Sequence, residues 1–99
     1  MARTLAKLTL PPIQTITTMA DLGLAVRAAR TGDALRIDTA ADLCQVSVAL
    51  LSALENGTDR AVRIDKILQV LDGLGLTLLV ATKQAAEQIV ESTSSDSPA

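Results

Sequence analysis

The sequence predicts a mostly α fold, a bundle of four to five short helices followed by a short C-terminal strand, and three observations carry that expectation. Apolar residues recur at helical spacing in two separate segments, Leu22-Ala25-Val26-Ala29 and Ile64-Ile67-Leu68-Leu71-Leu74. Helix start and stop signals punctuate the chain between and before them: Thr18 with Asp21, Ser47, and Asn56-Gly57. One leucine-rich, β-branched run, Leu76 to Thr82, has the character of a strand.

Taken in order, residues Met1 to Thr17 lack helical periodicity, and Pro11-Pro12 divides them, so they read as an arm with strand tendency. Thr18 and Asp21 form a capping box with Asp in place of Glu, which starts a first helix from about Met19 to Arg30. Thr31-Gly32-Asp33 is a break. Leu35, Ala40, Ala41 and Leu43 suit a short second helix ending before Gln45, and Val46 with Ser47 makes a turn. Ser47 caps a third helix from Val48 to Glu55, closed by Asn56-Gly57, whose residues tolerate the left-handed conformation. After a polar loop, Thr58 to Arg63, the Ile64 to Leu74 stripe forms a fourth helix that Gly73 and Gly75 weaken at its end. Lys83 to Val90 suits one or two helical turns, and Ser92 to Ala99 reads as disordered. The expected core is built around Leu51, Leu54, Leu68 and Leu71.

Composition narrows the function. With 48% hydrophobic residues the chain can bury one core, but it has no Phe, Trp or Tyr, which excludes aromatic stacking on single-stranded nucleic acid. Histidine is absent and Cys44 is the only cysteine, leaving no zinc set, no intrachain disulfide and no histidine relay, so no catalytic residue, metal site or cofactor is expected. Cys44 itself reads as a buried, inert thiol. The longest apolar run, Gly73 to Ala81, is too short to span a bilayer, and a reducing cytoplasm is the expected compartment. A formal charge of −2 has the wrong sign for coating nucleic acid, so contact with phosphates must come from local cations.

The residues Leu22-Gly23, Val26-Arg27, Arg30, Leu35, Ala41, Val46-Ser47, Leu51-Ser52, Leu54-Glu55-Asn56-Gly57 and Leu74-Gly75-Leu76 together resemble the Cro/repressor (Xre-type) helix-turn-helix family over roughly Met19 to Leu76. The LTLLVAT segment that follows is similar to that of HipB-like antitoxins. The resemblance implies an N-terminal arm (1–17), a helix-turn-helix domain (18–75), a dimerisation strand (76–82) using Leu76, Leu78, Leu79 and Val80, and a short helix with a disordered tail (83–99). It also implies that Arg30 pairs with Glu55 to orient the third helix, the bland alternative being an exposed pair of little worth.

Two departures from the family pattern bear on DNA reading. Ile37 stands where members commonly carry Gln, which removes a phosphate contact, and Gln45 stands where the turn usually has Gly, so Gln45 must accept a positive φ or the turn is reshaped. On the third helix Val48, Ala49, Ser52 and Ala53 match the groove-facing positions, and of these only Ser52 has a side chain able to hydrogen-bond. Val and Ala can touch thymine methyl groups, contacts that discriminate less than bidentate Arg–guanine or Gln–adenine pairs.

The expected function is a HipB-like transcriptional regulator: a homodimer on a palindromic operator, repressing its own operon and binding a HipA-like kinase toxin. Ser47, Val48, Ala49 and Ser52 would face the groove, while Arg36, Arg60 and Arg63 would hold phosphates, with a solvated charged loop as the plain alternative for the last two. The competing reading is a helix-turn-helix that has surrendered DNA and offers Val48, Ala49, Leu50 and Ala53 as a protein-docking patch.

Overall fold

The computed structural model describes residues 13–57 and 61–95. They form five α-helices in chain order: α1 (Met19–Gly32), α2 (Ile37–Cys44), α3 (Val48–Asn56), α4 (Ile64–Gly73) and α5 (Lys83–Ser95). The fold is mostly α, and no strand occurs among the described residues. Most of the expected arm, residues 1–12, lies outside them.

The first helix begins as its sequence dictates. Thr18 Oγ1 accepts the backbone N–H of Asp21 at 3.1 Å, and Asp21 Oδ2 accepts in return from the N–H of Thr18 at 3.2 Å and of Thr17 at 3.0 Å. A further bond from the Thr17 hydroxyl, 2.8 Å, completes the cluster. The backbone bond from Thr17, followed by that from its hydroxyl, holds the Asp21 carboxyl below its ordinary pKa. Because the folded value is depressed, the stabilisation is present above the unfolded-chain value of about 3.9 and disappears as pH falls through the folded value. Asp21→Asn should therefore flatten the loss of thermal stability in the most acidic part of a pH series while leaving the neutral-pH curve shifted only slightly. An unchanged acid limb would assign that limb to other carboxylates.

α1 runs two residues past the expected Arg30, to Gly32, and the Thr31 hydroxyl donates back to the carbonyl of Arg27 at 2.9 Å. The chain then turns through Ala34, a non-glycine residue at φ 57°. The cost of that left-handed residue, roughly 1–2 kcal/mol, is met where the turn delivers the Leu35 carbonyl to Arg30 Nη1 at 2.9 Å.

The core is aliphatic: Val26 of α1, Ala40, Ala41 and Cys44 of α2, Leu51 and Leu54 of α3, and Ile67, Val70 and Leu71 of α4, with Leu74 just beyond. Small residues set how closely the helices cross. A Cβ on Gly23 would stand 2.5 Å from the carbonyl oxygens of both Leu54 and Glu55, so α1 can rest on α3 only with glycine there. The equivalent point between α4 and α2 is Gly73, whose Cβ would lie 2.6 Å from Cys44 Sγ.

The structure corrects three expectations. Leu68 is 44% exposed and is not in the core. The buried face of α4 is Ile67, Val70, Leu71 and Leu74, which also has i, i+3, i+4, i+7 spacing but is rotated from the predicted stripe and leaves Ile64 at 60% exposure. The segment 76–82 forms no strand within the single chain, where no hydrogen-bonded neighbour lies among the described residues; the partner expected for it is the same segment of a second chain. Finally, α5 is a thirteen-residue helix rather than one or two turns. Thr82 Oγ1 accepts the N–H of Ala85 at 3.1 Å, and Gln84, Ala85, Ala86, Glu87 and Gln88 are helix formers that carry the helix into residues expected to be disordered. Residues 96–99 lie outside the described chain.

Candidate nucleic-acid interface

The angle between α2 and α3 is 108°, and Gln45, Val46 and Ser47 join them. The turn is closed by chemistry at three points. Gln45 adopts the left-handed conformation, φ 60° and ψ 43°, so of the two outcomes expected for it the positive φ is the one found. The N–H of Val46 donates to the Ala41 carbonyl at 2.9 Å while the Val46 side chain packs on the core. Ser47 is the N-cap of α3, its Oγ accepting the Leu50 N–H at 3.0 Å, and α3 stops at Gly57, φ 61°.

A residue that sequence reasoning missed holds the same turn from the other side. Gln69 of α4 donates from Nε2 to the Cys44 carbonyl at 2.8 Å and to the Gln45 carbonyl at 3.0 Å, supplying partners to acceptors that the end of α2 leaves unpaired. Gln69→Ala is expected to cost about 1–2 kcal/mol, read as a lower denaturation midpoint in urea. No change in midpoint would show that water replaces the amide without loss.

Arg30 and Glu55 are brought together across the bundle. Arg30 Nε and Nη2 donate to Glu55 Oε2 and Oε1 at 2.6 and 2.9 Å, a bidentate pair with side-chain exposures of only 14% and 5%. The hydrogen bond that Arg30 donates to Glu55 outweighs burial and raises the Arg30 pKa. One guanidinium thus ties the end of α1, the loop before α2 and the last turn of α3.

The residues expected to meet DNA fall into two groups. On α3, Val48 is 45% exposed, Ala49 is exposed, and Ser52 is half-buried with its Oγ accepting from Asn56 Nδ2 at 3.4 Å. Ser47 Oγ accepts the helix-cap bond. Flanking them, Arg36 and Arg63 are the N-cap residues of α2 and α4 within a repeated Arg-Ile-Asp sequence. The two sites have the same geometry: Arg36 Nε lies 3.4 Å from Asp38 Oδ1 and Arg63 Nε lies 3.3 Å from Asp65 Oδ1, with both arginine side chains more than four-fifths exposed. Such exposed pairs are worth little, so the arginines remain able to exchange a carboxylate for a phosphate. Arg60 lies outside the described residues. Ile37 is half-buried and packs on the core.

Cys44 is 2% exposed, its thiol facing the Val70 carbonyl at 3.6 Å, and burial raises its pKa. Among the described residues no group of acidic, cysteine or histidine side chains is placed to hold a metal ion. No single helix among them is long and apolar enough to cross a membrane; α2 and α3 pass that test only as a bent pair, and their apolar residues supply much of the core. Of the segment expected to dimerise, Leu76 packs on the core, while Leu78, Leu79 and Val80 are exposed by 48%, 74% and 96%.

No family model matches the chain, and no curated protein matches it.

Proposed function

We propose that this chain is a helix-turn-helix DNA-binding regulator of the Xre type, and the observation that carries the reading is the 108° junction of α2 and α3. Helix-turn-helix units join two helices at about 90–120° through a three- or four-residue turn and place the first turn of the second helix against base edges. Here α3 has a capped start, an exposed first turn, a bidentate anchor at its last turn and an exposed arginine at the start of each neighbouring helix in sequence, α2 and α4. Two copies would present two α3 helices to successive major grooves of a palindromic operator, with Leu78, Leu79 and Val80 as the apolar surface that a second chain covers. On the HipB-like reading the dimer represses its own operon and also binds a HipA-like kinase.

The decisive experiment is titration of the purified chain onto its own promoter at several salt concentrations, with sedimentation to count chains. The reading requires a dimer that binds one sequence in preference to competitor DNA. A specific observation favours a second reading: the exposed first turn of α3 is apolar, which suits a protein-docking patch. A confirmed dimer without promoter preference at low salt would select that alternative.

A further inference from the structure

We infer that α3 selects its DNA through C5-methyl groups, those of thymine and of 5-methylcytosine in thymine's place; the inference rests on the DNA-binding reading above. The first turn of α3 presents Val48, 45% exposed, and Ala49, with Leu50 half-buried behind them. The hydroxyls nearby are partly engaged: the Ser47 Oγ accepts the Leu50 N–H at the cap and the Ser52 Oγ accepts from Asn56 Nδ2, which leaves each with a single O–H to offer. An amide or guanidinium able to make a bidentate base contact is therefore missing from the first turn of α3.

On the major-groove edges of the four bases the thymine methyl is the one bulky apolar group, and beside it stand donors, acceptors and bare ring C–H groups. An isopropyl pressed against a donor or acceptor strips its water and returns nothing, a cost that grows with burial. Against a methyl group the same isopropyl buries apolar surface on both sides. Val48 and Ala49 thus discriminate by the presence of a methyl, and a cytosine that carries one at C5 satisfies the same contact. Arg36 and Arg63, outside the helix, supply phosphate contacts that are blind to this difference.

The test is selection of preferred duplexes from a random-sequence library by the full-length chain, followed by replacement of each selected thymine with deoxyuridine. Loss of one buried methyl is expected to weaken binding about fourfold per position, and both half-sites together by roughly fifteenfold. Replacing the same T·A pair with C·G should weaken binding further, and 5-methylation of that cytosine should recover part of the loss. Val48→Ala, at an exposed position that leaves the helical circular dichroism unchanged, should erase the thymine-over-uracil preference at one position and keep it at others. Site-specific binding indifferent to deoxyuridine at every position overturns this inference and leaves the DNA-binding reading standing. A library from which no sequence is enriched removes both and assigns the apolar turn to a protein partner.

Discussion

Replacing Glu55 with alanine is expected to lower folding stability by about 3–5 kcal/mol, a large fraction of what a domain of this size has to lose. The carboxylate is 5% exposed and receives two bonds from a guanidinium that is itself 14% exposed. Its removal leaves Arg30 charged, since no accessible pH deprotonates it, with the Leu35 carbonyl as its remaining described partner. The unmet charge either stays desolvated or drags the end of α1 outward toward water. Urea unfolding should show a lower midpoint with an unchanged slope. The double variant Arg30→Met/Glu55→Leu should regain most of the loss, because removing both charges also removes both desolvation penalties. A loss under about 1 kcal/mol for the single variant would mean that the pair behaves as an exposed one.

That pair also shows what the sequence made legible. Arg30 and Glu55 are twenty-five residues apart, and no local pattern joins them; only the resemblance to a known family pointed to the contact. By contrast, the boundaries of α1 and α3 follow from local chemistry. Thr18, Asp21, Ser47 and Gly57 each act on backbone groups within a few positions, and all four do in the structure what their types and spacing imply. The same locality explains the error at Leu68. Ile64, Ile67, Leu68, Val70 and Leu71 offer two overlapping apolar stripes on α4, and the choice between them is made by tertiary packing, which buries Val70 with its carbonyl facing the Cys44 thiol of α2.

Gln69 was invisible for a related reason. Its partners are carbonyls of Cys44 and Gln45, acceptors that any residue carries, so the site has no signature in side-chain types. The run Leu76 to Thr82 illustrates the opposite limit. Strand propensity describes a fit to a pleated surface with neighbours, and within one chain the described residues offer no neighbouring strand. The exposure of Leu79 and Val80 fits the proposed pairing of this segment with a second chain.

Ala49→Glu is expected to abolish operator binding, weakening it by at least about a hundredfold, while leaving the unfolding midpoint within roughly 0.5 kcal/mol of the unaltered chain. Ala49 is exposed in the first turn of α3, and glutamate is a good helix former that is favoured near a helix N-terminus, so the fold has no reason to object. At the DNA surface the same carboxylate meets the phosphate potential from both walls of the groove and the acceptors on purine edges. The effect is doubled in a dimer, since each half-site carries one copy. Arg36→Ala provides the contrast: loss of a phosphate contact should weaken binding to all sequences alike and reduce the slope of log affinity against log salt by up to about one per protomer. If Ala49→Glu left promoter binding intact while Arg36→Ala weakened it, the chain would still contact DNA but through a face other than α3. The 108° junction would then position α3 for a partner of a different kind.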